Sequence, residues 1–397
     1  MSKVLIISAV FLPEPLVSAK ISSDIAIMMS NYEDVMVVCP HPSRPDGYNF
    51  EKNKIEQKTY SVHYLNSYRC PKSKLFGRIK ESYSFGKHCV NFIKRNRKDI
   101  KKIYINSWPF ISQYLIVKQA VRSNIKTILH IQDIYPESLV KKMPKIIGSL
   151  LFKLLLPIDK YTLRNASKII GISTNMNNYL SSSRKVKENK FSLVRNWQED
   201  NLFNDYKSAN LNNDKNVFVF MYIGSISASA GVDVIIKSFD LAKMNNSRLI
   251  IAGDGSEKEK CIKIAMETGN VQIEFKDVTP SQTPFLQSEA TVLLLPLKKG
   301  IALTATPSKL TAYLFSGRPV LATVEQKTDV YNIIRKGKCG VVKIPENIAS
   351  IAEGMKELYL LPKPELNRLG ENGRKYAEAN LSKKINLKKC ISIINNT

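Results

Sequence analysis

A lysine at the start of a predicted helix is the side chain in this sequence best placed to bind an anion. Lys309 follows an apolar run, residues 290–297, that predicts a buried strand, and it precedes leucine and tyrosine side chains at helical spacing. Where a strand's carboxyl end meets a helix's amino end, backbone N–H groups point outward and favour an anion. The joint therefore predicts a diphosphate site at Thr306, Pro307, Ser308, Lys309 and Leu310. On the local pattern alone, an ordinary strand–helix joint with a solvated lysine is the simpler interpretation.

Two loops of small residues follow predicted strands in the same half of the chain. Gly224 and Ser225 come after the strand at residues 217–223, and small residues there allow backbone amides to approach a phosphate. Gly253, Asp254 and Gly255 come after the strand at residues 248–252. Taken alone, the second loop predicts only a turn.

Asp133 is the carboxylate best placed to face a substrate hydroxyl. It follows the predicted strand at residues 127–131, and open α/β sheets bind ligands at the carboxyl ends of their strands. The alternative is that Asp133 only caps a helix. In the opening loop, Ser18 and Lys20 also follow a strand and are candidates to face the ligand.

Strands and helices alternate along the whole chain, which predicts parallel α/β sheets. A chain of 397 residues is long for one core and natural for two domains. A polar, Asn- and Asp-rich stretch, residues 199–216, has the composition of a linker. We therefore predict an N-terminal domain at residues 1–198, a second domain at 199–379, and a final helix, 380–397, that packs back on the first domain.

The net charge of +26 predicts an anionic partner, unless it only reflects a lysine-rich composition. Eleven Lys and Arg lie between Lys72 and Lys102, against Glu81 and Asp99 only. Within this run, residues 76–92 predict a basic helix with interleaved aromatics. Residues 141–157 join lysines to an apolar run too short to span a membrane. Each segment is either a core helix or a surface that docks on lipid headgroups.

The six scattered cysteines show no CxxC spacing and no zinc pattern, and they predict reduced thiols in the cytoplasm. No signal peptide is expected, because Met1 leads almost directly into a strand. The basic–aromatic segment lacks a recognisable RNA or DNA motif, so nucleic acid ranks last among the anionic partners.

Several blocks in the same order resemble glycosyltransferase family 4, most closely its bacterial branch for capsule and O-antigen polysaccharides. The blocks are Asp133-Ile134-Tyr135-Pro136-Glu137, Arg195-Asn196, Gly253-Asp254-Gly255, Pro307-Ser308-Lys309-Leu310 with Ser316-Gly317-Arg318-Pro319-Val320, and Arg368 to Tyr376. The resemblance covers nearly the whole chain. It implies the GT-B fold, two doubly wound Rossmann-like domains facing across a cleft.

The resemblance also implies roles for individual residues. It places Asp133 in the active site, Gly253–Gly255 and the Lys309 helix on the donor, and Arg195 and Asn196 at the domain joint beside the acceptor. Glu137 stands in the acceptor block, although its position also suits helix-start electrostatics.

Four of the positions at which the sequence departs from the family belong to its donor site. Two Glu that the family carries around the donor helix, the second of which holds the ribose, are Ala305 and Ala312 here. An Arg and a Lys that grip the diphosphate in many members are Ala228 and Ala230, which leaves Lys309 as the remaining cation.

The implied activity is transfer of a sugar from a nucleotide-sugar to a hydroxyl of a lipid-linked glycan acceptor, with retention of configuration. No cofactor or metal is expected, because the sequence contains no Asp-x-Asp triplet. The expected location is the cytoplasmic face of the plasma membrane, on an anionic lipid surface. A catalytically impaired partner protein and a sugar-nucleotide epimerase of the same fold remain as alternatives.

Overall fold

The computed structural model describes residues 3–44, 50, 59–70, 75–106, 109–140, 143–197, 200–203, 217–302 and 307–397. The chain forms two compact units. Unit 1 comprises Met1–Asn196 and Asn386–Thr397, and unit 2 comprises Trp197–Ile385. The predicted boundaries were at residues 198 and 379, and the final helix falls mostly in unit 1.

Unit 1 is built on a seven-stranded parallel sheet with the order β3-β2-β1-β4-β5-β6-β7. Its strands are β1 (Lys3–Ile7), β2 (Val35–Pro40), β3 (Ser61–Leu65), β4 (Ile100–Asn106), β5 (Lys126–Ile131), β6 (Lys168–Gly171) and β7 (Phe191–Leu193). Its helices are α1 (Val17–Met29), α2 (Leu75–Arg95), α3 (Phe110–Arg122), α4 (Glu137–Val140), α5 (Lys145–Asn165) and α6 (Thr174–Arg184).

Unit 2 is built on a six-stranded parallel sheet with the order β10-β9-β8-β11-β12-β13. Its strands are β8 (Phe218–Ile223), β9 (Ser247–Ala252), β10 (Ile273–Lys276), β11 (Val292–Pro296), β12 (Val320–Thr323) and β13 (Gly340–Lys343). Its helices are α7 (Val232–Ala242), α8 (Lys258–Thr268), α9 (Thr283–Glu289), α10 (Ser308–Phe315), α11 (Asp329–Gly337), α12 (Ile348–Tyr359) and α13 (Lys363–Asn380). The last helix, α14 (Lys383–Asn395), bridges the boundary between the units in sequence.

The central strands are apolar on both faces because helices cover both sides of each sheet. In β1, β5 and β11, each residue after the first strand position is almost fully buried. This arrangement explains why continuous Ile, Leu and Val runs predicted these strands, and it confirms the predicted α/β fold of two Rossmann-like units.

Each sheet reverses its strand order at one point. In unit 1 the chain moves outward from β1 to β3 and then returns to β4, beside β1. In unit 2 it moves outward from β8 to β10 and returns to β11, beside β8. Ligands of open α/β sheets bind at the carboxyl ends of the strands that flank such a point.

Two segments differ from the sequence-based prediction. Strand β3 was not predicted, because it lies at a sheet edge where most of its side chains are exposed and no apolar alternation develops. The segment at residues 141–157 was interpreted as a core helix or an interfacial helix, whereas α5 begins at Lys145 and continues through Pro157 to Asn165. Pro157 removes the N–H that would bond the Lys153 carbonyl, and the exposed position of Lys153 lets water replace that bond.

Among the described residues, none of the helices combines the length and the apolar character that a membrane crossing requires. The six cysteines are free thiols, and all but Cys70 are buried.

Candidate functional site

The carboxyl edge of the unit 2 sheet brings Gly224 and Lys309 together at the point where the strand order reverses. Gly224 follows β8, and Lys309 lies in the first turn of α10, the helix after β11. The backbone of Gly224 has a φ of +134°, which favours glycine, and a Cβ there would lie 2.2 Å from Lys309 Cε. The lysine side chain therefore crosses directly over the glycine backbone.

Tyr222 holds the Lys309 ammonium in place. Lys309 Nζ donates to Tyr222 Oη at 2.5 Å and lies 4.4 Å from the centre of the tyrosine ring. The carbonyl of Ser225 accepts from the same nitrogen at 3.4 Å and from the tyrosine hydroxyl at 2.5 Å. Burial lowers the pKa of Lys309 from 10.5 to about 8, and burial also raises the pKa of Tyr222.

The loop Gly253–Gly255 packs against the loop of Gly224. Ile226 N–H donates to the Asp254 carbonyl at 2.8 Å, and a Cβ on Gly253 would lie 2.3 Å from the Gly224 carbonyl oxygen. The exposed side chain of Asp254 accepts from the Gly255 N–H at 2.8 Å. The two predicted donor loops therefore form one surface, with Ser225 exposed on it.

Helix α10 begins directly after a proline and is followed by a left-handed glycine. Pro307 occupies the N-cap position, Ser308 is exposed, and Leu310 is fully buried in the core beneath the joint. Gly317 follows the helix with a φ of +69°. Thr306 and Ala305 lie outside the described residues. Ala312 is buried, so the helix offers no carboxylate at that position.

The carboxyl edge of the unit 1 sheet forms one end of a cavity of about 790 Å³. Ser8 after β1, Asn106 at the end of β4, and Gln132 and Asp133 after β5 lie at this end. The remaining wall is mostly apolar and includes Val10, Leu16, Ile79, Phe110, Ile111, Leu139, Met143, Leu151, Leu154 and Leu155. Ser18 also lines the cavity, so the structure gathers Asp133 and Ser18 in one site.

Asn106 is a buried polar residue of this cavity that sequence reasoning missed. Its side-chain amide donates to Ser22 Oγ at 2.7 Å and to the Ser18 carbonyl at 3.2 Å. Its Oδ1 is buried and has no hydrogen-bond partner among the described residues.

Asp133 is exposed at the cavity, and its neighbour Gln132 is fixed by the predicted joint block. Asn196 Nδ2 donates to Gln132 Oε1 at 2.6 Å. The backbone N–H of Arg195 donates to Asn386 Oδ1 on α14 at 3.0 Å. Lys20 is exposed on α1.

Glu137 is engaged by a buried arginine rather than open to substrate. Arg184 is 1% exposed and donates to both Glu137 oxygens, at 2.7 and 2.6 Å. It also donates to Asp159 Oδ2 at 2.7 Å and to the Tyr135 carbonyl at 2.8 Å. Burial raises the pKa of Asp159 to about 6 despite the arginine. Arg184 therefore anchors the segment that begins with Asp133, and no sequence pattern indicated it.

Among the described residues, no group of three or more His, Cys, Asp or Glu side chains is arranged to hold a metal ion.

Comparison with known proteins identifies the second half of the chain. Residues 204–376 match the profile of the family described as "Glycosyl transferases group 1". Glycosyltransferase WbjE of Pseudomonas aeruginosa, named as probable, is 24% identical over 271 residues, 66% of this chain and 66% of its own length. WcaI of Escherichia coli K12, named for colanic acid biosynthesis, is 25% identical over 283 residues, 68% of each chain. The chain therefore spans about two thirds of these relatives.

Solved structures agree on the fold. The sucrose-phosphate synthase of Thermosynechococcus elongatus superposes with a TM-score of 0.73 at 15% identity, over 100% of this chain and 99% of its own. HepE of Anabaena, solved with UDP, superposes with a TM-score of 0.70 at 13% identity over the whole of both chains. Two parallel Rossmann-like units and a glycosyl transferases group 1 match over residues 204–376 give the chain the GT-B fold with a glycosyltransferase domain in its second half.

Proposed function

We propose that this glycosyltransferase moves a sugar from a nucleotide-sugar to a hydroxyl of a lipid-linked glycan in cell-surface polysaccharide biosynthesis. The observation that carries the proposal is Lys309, held over Gly224 at the switch point of the unit 2 sheet, inside the matched glycosyl transferases group 1 region. The lysine and the amino end of α10 suit a diphosphate. HepE, a structural neighbour, was solved with UDP and with UDP-glucose, which supports a nucleotide-sugar donor.

In the proposed reaction the bond between the sugar's anomeric carbon and the diphosphate breaks, and the acceptor oxygen bonds to that carbon with retention of configuration. The departing diphosphate gains negative charge. Lys309 and the α10 N–H groups stabilise that charge without a metal. Asp133, exposed at the unit 1 cavity, orients the acceptor hydroxyl and takes up its proton as the new bond forms.

The proposed acceptor is held in a membrane, and the surface of helix α2 supports docking on anionic lipid at the cytoplasmic face. Its outer face presents Phe76, Lys80, Tyr83 and Lys87, all exposed, at helical spacing. Phe85 and Phe92 instead pack into the core, so the aromatic residues divide between the two faces. A lysine near an anionic surface contributes about 1 kcal/mol of binding.

The function is tested by screening nucleotide-sugars for a rise in melting temperature and then assaying transfer to a lipid-linked glycan. One selective nucleotide-sugar and an extended glycan are expected. Release of an epimer without extension would instead support the epimerase. If the protein binds no nucleotide, it is the catalytically impaired partner protein. The buried Ala312, which stands where the resembled family has a Glu, favours this alternative.

Membrane docking is tested by co-sedimentation with anionic and neutral vesicles at low and high salt. Binding to anionic vesicles alone, weakened by salt, is expected. The double variant Lys80→Glu/Lys87→Glu should lose it, whereas Lys237→Glu/Lys263→Glu, a matched exposed pair on unit 2, should not. Recovery of the protein in the supernatant under every condition would show that it does not dock on lipid, and its net charge would then only reflect a lysine-rich composition.

A further inference from the structure

The unit 2 sheet splits at the point where its strand order reverses. Among the described strands, the last pair between β8 and β11 joins Met221 to Leu293. Both strands continue beyond that pair, β8 to Ile223 and β11 to Pro296. Over this stretch β8 stays paired with β9, and β11 stays paired with β12. A crevice therefore opens between the two central strands at the carboxyl edge, where open α/β sheets bind their ligands.

The split deprives the backbone of Ile223 of a strand partner. The Val219 carbonyl accepts from the Thr291 N–H at 2.9 Å, so alternate residues of β8, including Ile223, turn their backbone groups toward β11. Ile223 is buried, and an unbonded N–H or C=O there would be costly. Tyr313 supplies both bonds. Its hydroxyl accepts from the Ile223 N–H and donates to the Ile223 carbonyl, each at 3.1 Å.

Tyr313 lies on the same face of α10 as Lys309, because the two residues are four positions apart. The Lys309 side chain bonds to Tyr222 and crosses Gly224, the residues on either side of Ile223. One helix face therefore contacts three consecutive residues at the end of β8. Tyr313 is fully buried, whereas Lys309 lies at the edge of the sheet. The tyrosine can thus fix the helix from within while the lysine meets a ligand.

We propose that Tyr313 is the residue that positions Lys309 for the donor diphosphate. Its hydroxyl takes the place of a strand in the crevice and ties α10 to β8, so that the lysine crosses Gly224 in one fixed arrangement. The inference rests on the proposed function for the presence of a diphosphate. It goes further by assigning the alignment of the lysine to a buried hydroxyl that acts through Lys309.

The variant Tyr313→Phe keeps the ring in the core and removes only the hydroxyl. Uridine, guanosine and thymidine diphosphates are titrated by calorimetry into the full-length protein. For the one that the wild type binds, the Kd should rise about fivefold or more, part of the effect of removing the lysine's charge. Tyr359→Phe is the matched control, because the Tyr359 hydroxyl donates to the Asn245 carbonyl at 2.8 Å and its ring packs against Phe218, at the other end of β8. Its Kd should not change. An unchanged Kd in Tyr313→Phe would overturn the proposal.

The titration of Lys309 separates positioning from a purely structural role. Burial lowers the pKa of Lys309 from 10.5 to about 8, and a helix released from β8 should expose the amine and raise that pKa again. The Lys309 ¹³Cε resonance is followed by NMR in lysine-labelled protein without donor, and Lys309→Met assigns it. Its midpoint should move toward 10.5 in Tyr313→Phe and stay in place in Tyr359→Phe. A lower melting temperature with an unmoved midpoint would leave Tyr313 with a structural role only, and the proposal would be wrong.

A double variant shows whether Tyr313 acts through Lys309. In the Lys309→Met background, Tyr313→Phe should change the Kd less than about twofold, because the group that it positions is gone. Effects of the two substitutions that add fully would contradict the proposal. If no nucleotide diphosphate binds the wild type, the proposed function fails. The NMR midpoint, measured without donor, would still decide whether Tyr313 positions Lys309.

Discussion

Replacing Lys309 with methionine should weaken binding of the nucleotide-sugar without harming the fold. Methionine keeps the apolar stem against Tyr222 but removes the charge that the diphosphate would meet. A hydrogen bond to a charged group contributes about 1.5–3 kcal/mol, which corresponds to a rise in Kd of roughly 13- to 160-fold. Because burial lowers the pKa of Lys309 from 10.5 to about 8, folding disfavours its charge. The variant should therefore melt no lower than the wild type, and higher at pH 7.

The same pKa fixes the pH dependence of donor binding. A diphosphate selects the protonated amine, and with a pKa of about 8 in the free enzyme the protonated fraction falls about tenfold between pH 7 and pH 9. Wild-type affinity should fall by about that factor over this range, and the affinity of Lys309→Met should not. The folding stability depends on pH in the opposite direction. The unfolded chain binds the extra proton between pH 8 and 10.5, so this lysine adds stability as the pH rises through that window.

The measurement is calorimetric titration of the nucleotide diphosphate identified by the thermal-shift screen, at pH 7, 8 and 9, with melting temperatures recorded in parallel. Lys237→Met, an exposed lysine on α7 of the same unit, controls for the loss of one positive charge. Unchanged Kd in Lys309→Met, or a wild-type pH profile that stays flat, would remove Lys309 from the donor site.

Three further variants test the remaining assignments. Gly224→Ala should weaken donor binding as much as Lys309→Met, because its Cβ would lie 2.2 Å from Lys309 Cε; titration with an unaltered Kd would show that the lysine need not cross that backbone. Asp133→Asn should lower kcat at least tenfold with donor Kd unchanged, and steady-state rates within a few-fold of wild type would leave Asp133 as a helix cap. Arg184→Met should cost about 3–5 kcal/mol in urea unfolding, since it leaves Glu137 and Asp159 buried without their cation, and a difference below 1 kcal/mol would contradict that account.

The fold could be predicted because the signals that specify it are local. The buried strands are continuous apolar runs, Ser173 caps α6 by accepting from the Met176 N–H at 3.0 Å, and Gly317 ends α10 in the left-handed region. Each of these features depends on neighbours within a few residues, so the sequence displays them. Strand β3 was not predicted, because an exposed edge strand has no continuous apolar run.

The contacts that give the candidate sites their properties could not be predicted. Lys309 and Tyr222 are 87 residues apart, and Arg184 lies 47 residues from Glu137. Only the arrangement of strands brings these pairs together, and residue types alone do not reveal which buried partner a lysine or arginine will meet. The cavity is likewise a property of packed elements, since its wall combines residues from β4, α3 and α5.

The burial of Lys309 also has a consequence for covalent chemistry. An amine acylates only when neutral, and a pKa of about 8 leaves about a tenth of Lys309 neutral at pH 7, roughly 300 times the fraction of a lysine at 10.5. Among the 60 Lys and Arg of a strongly basic surface, this one half-buried amine should thus react early with a small activated ester. A bound diphosphate would protonate and cover it. Labelling of Lys309 would then report occupancy of the donor site directly, with no need to know which sugar the enzyme transfers.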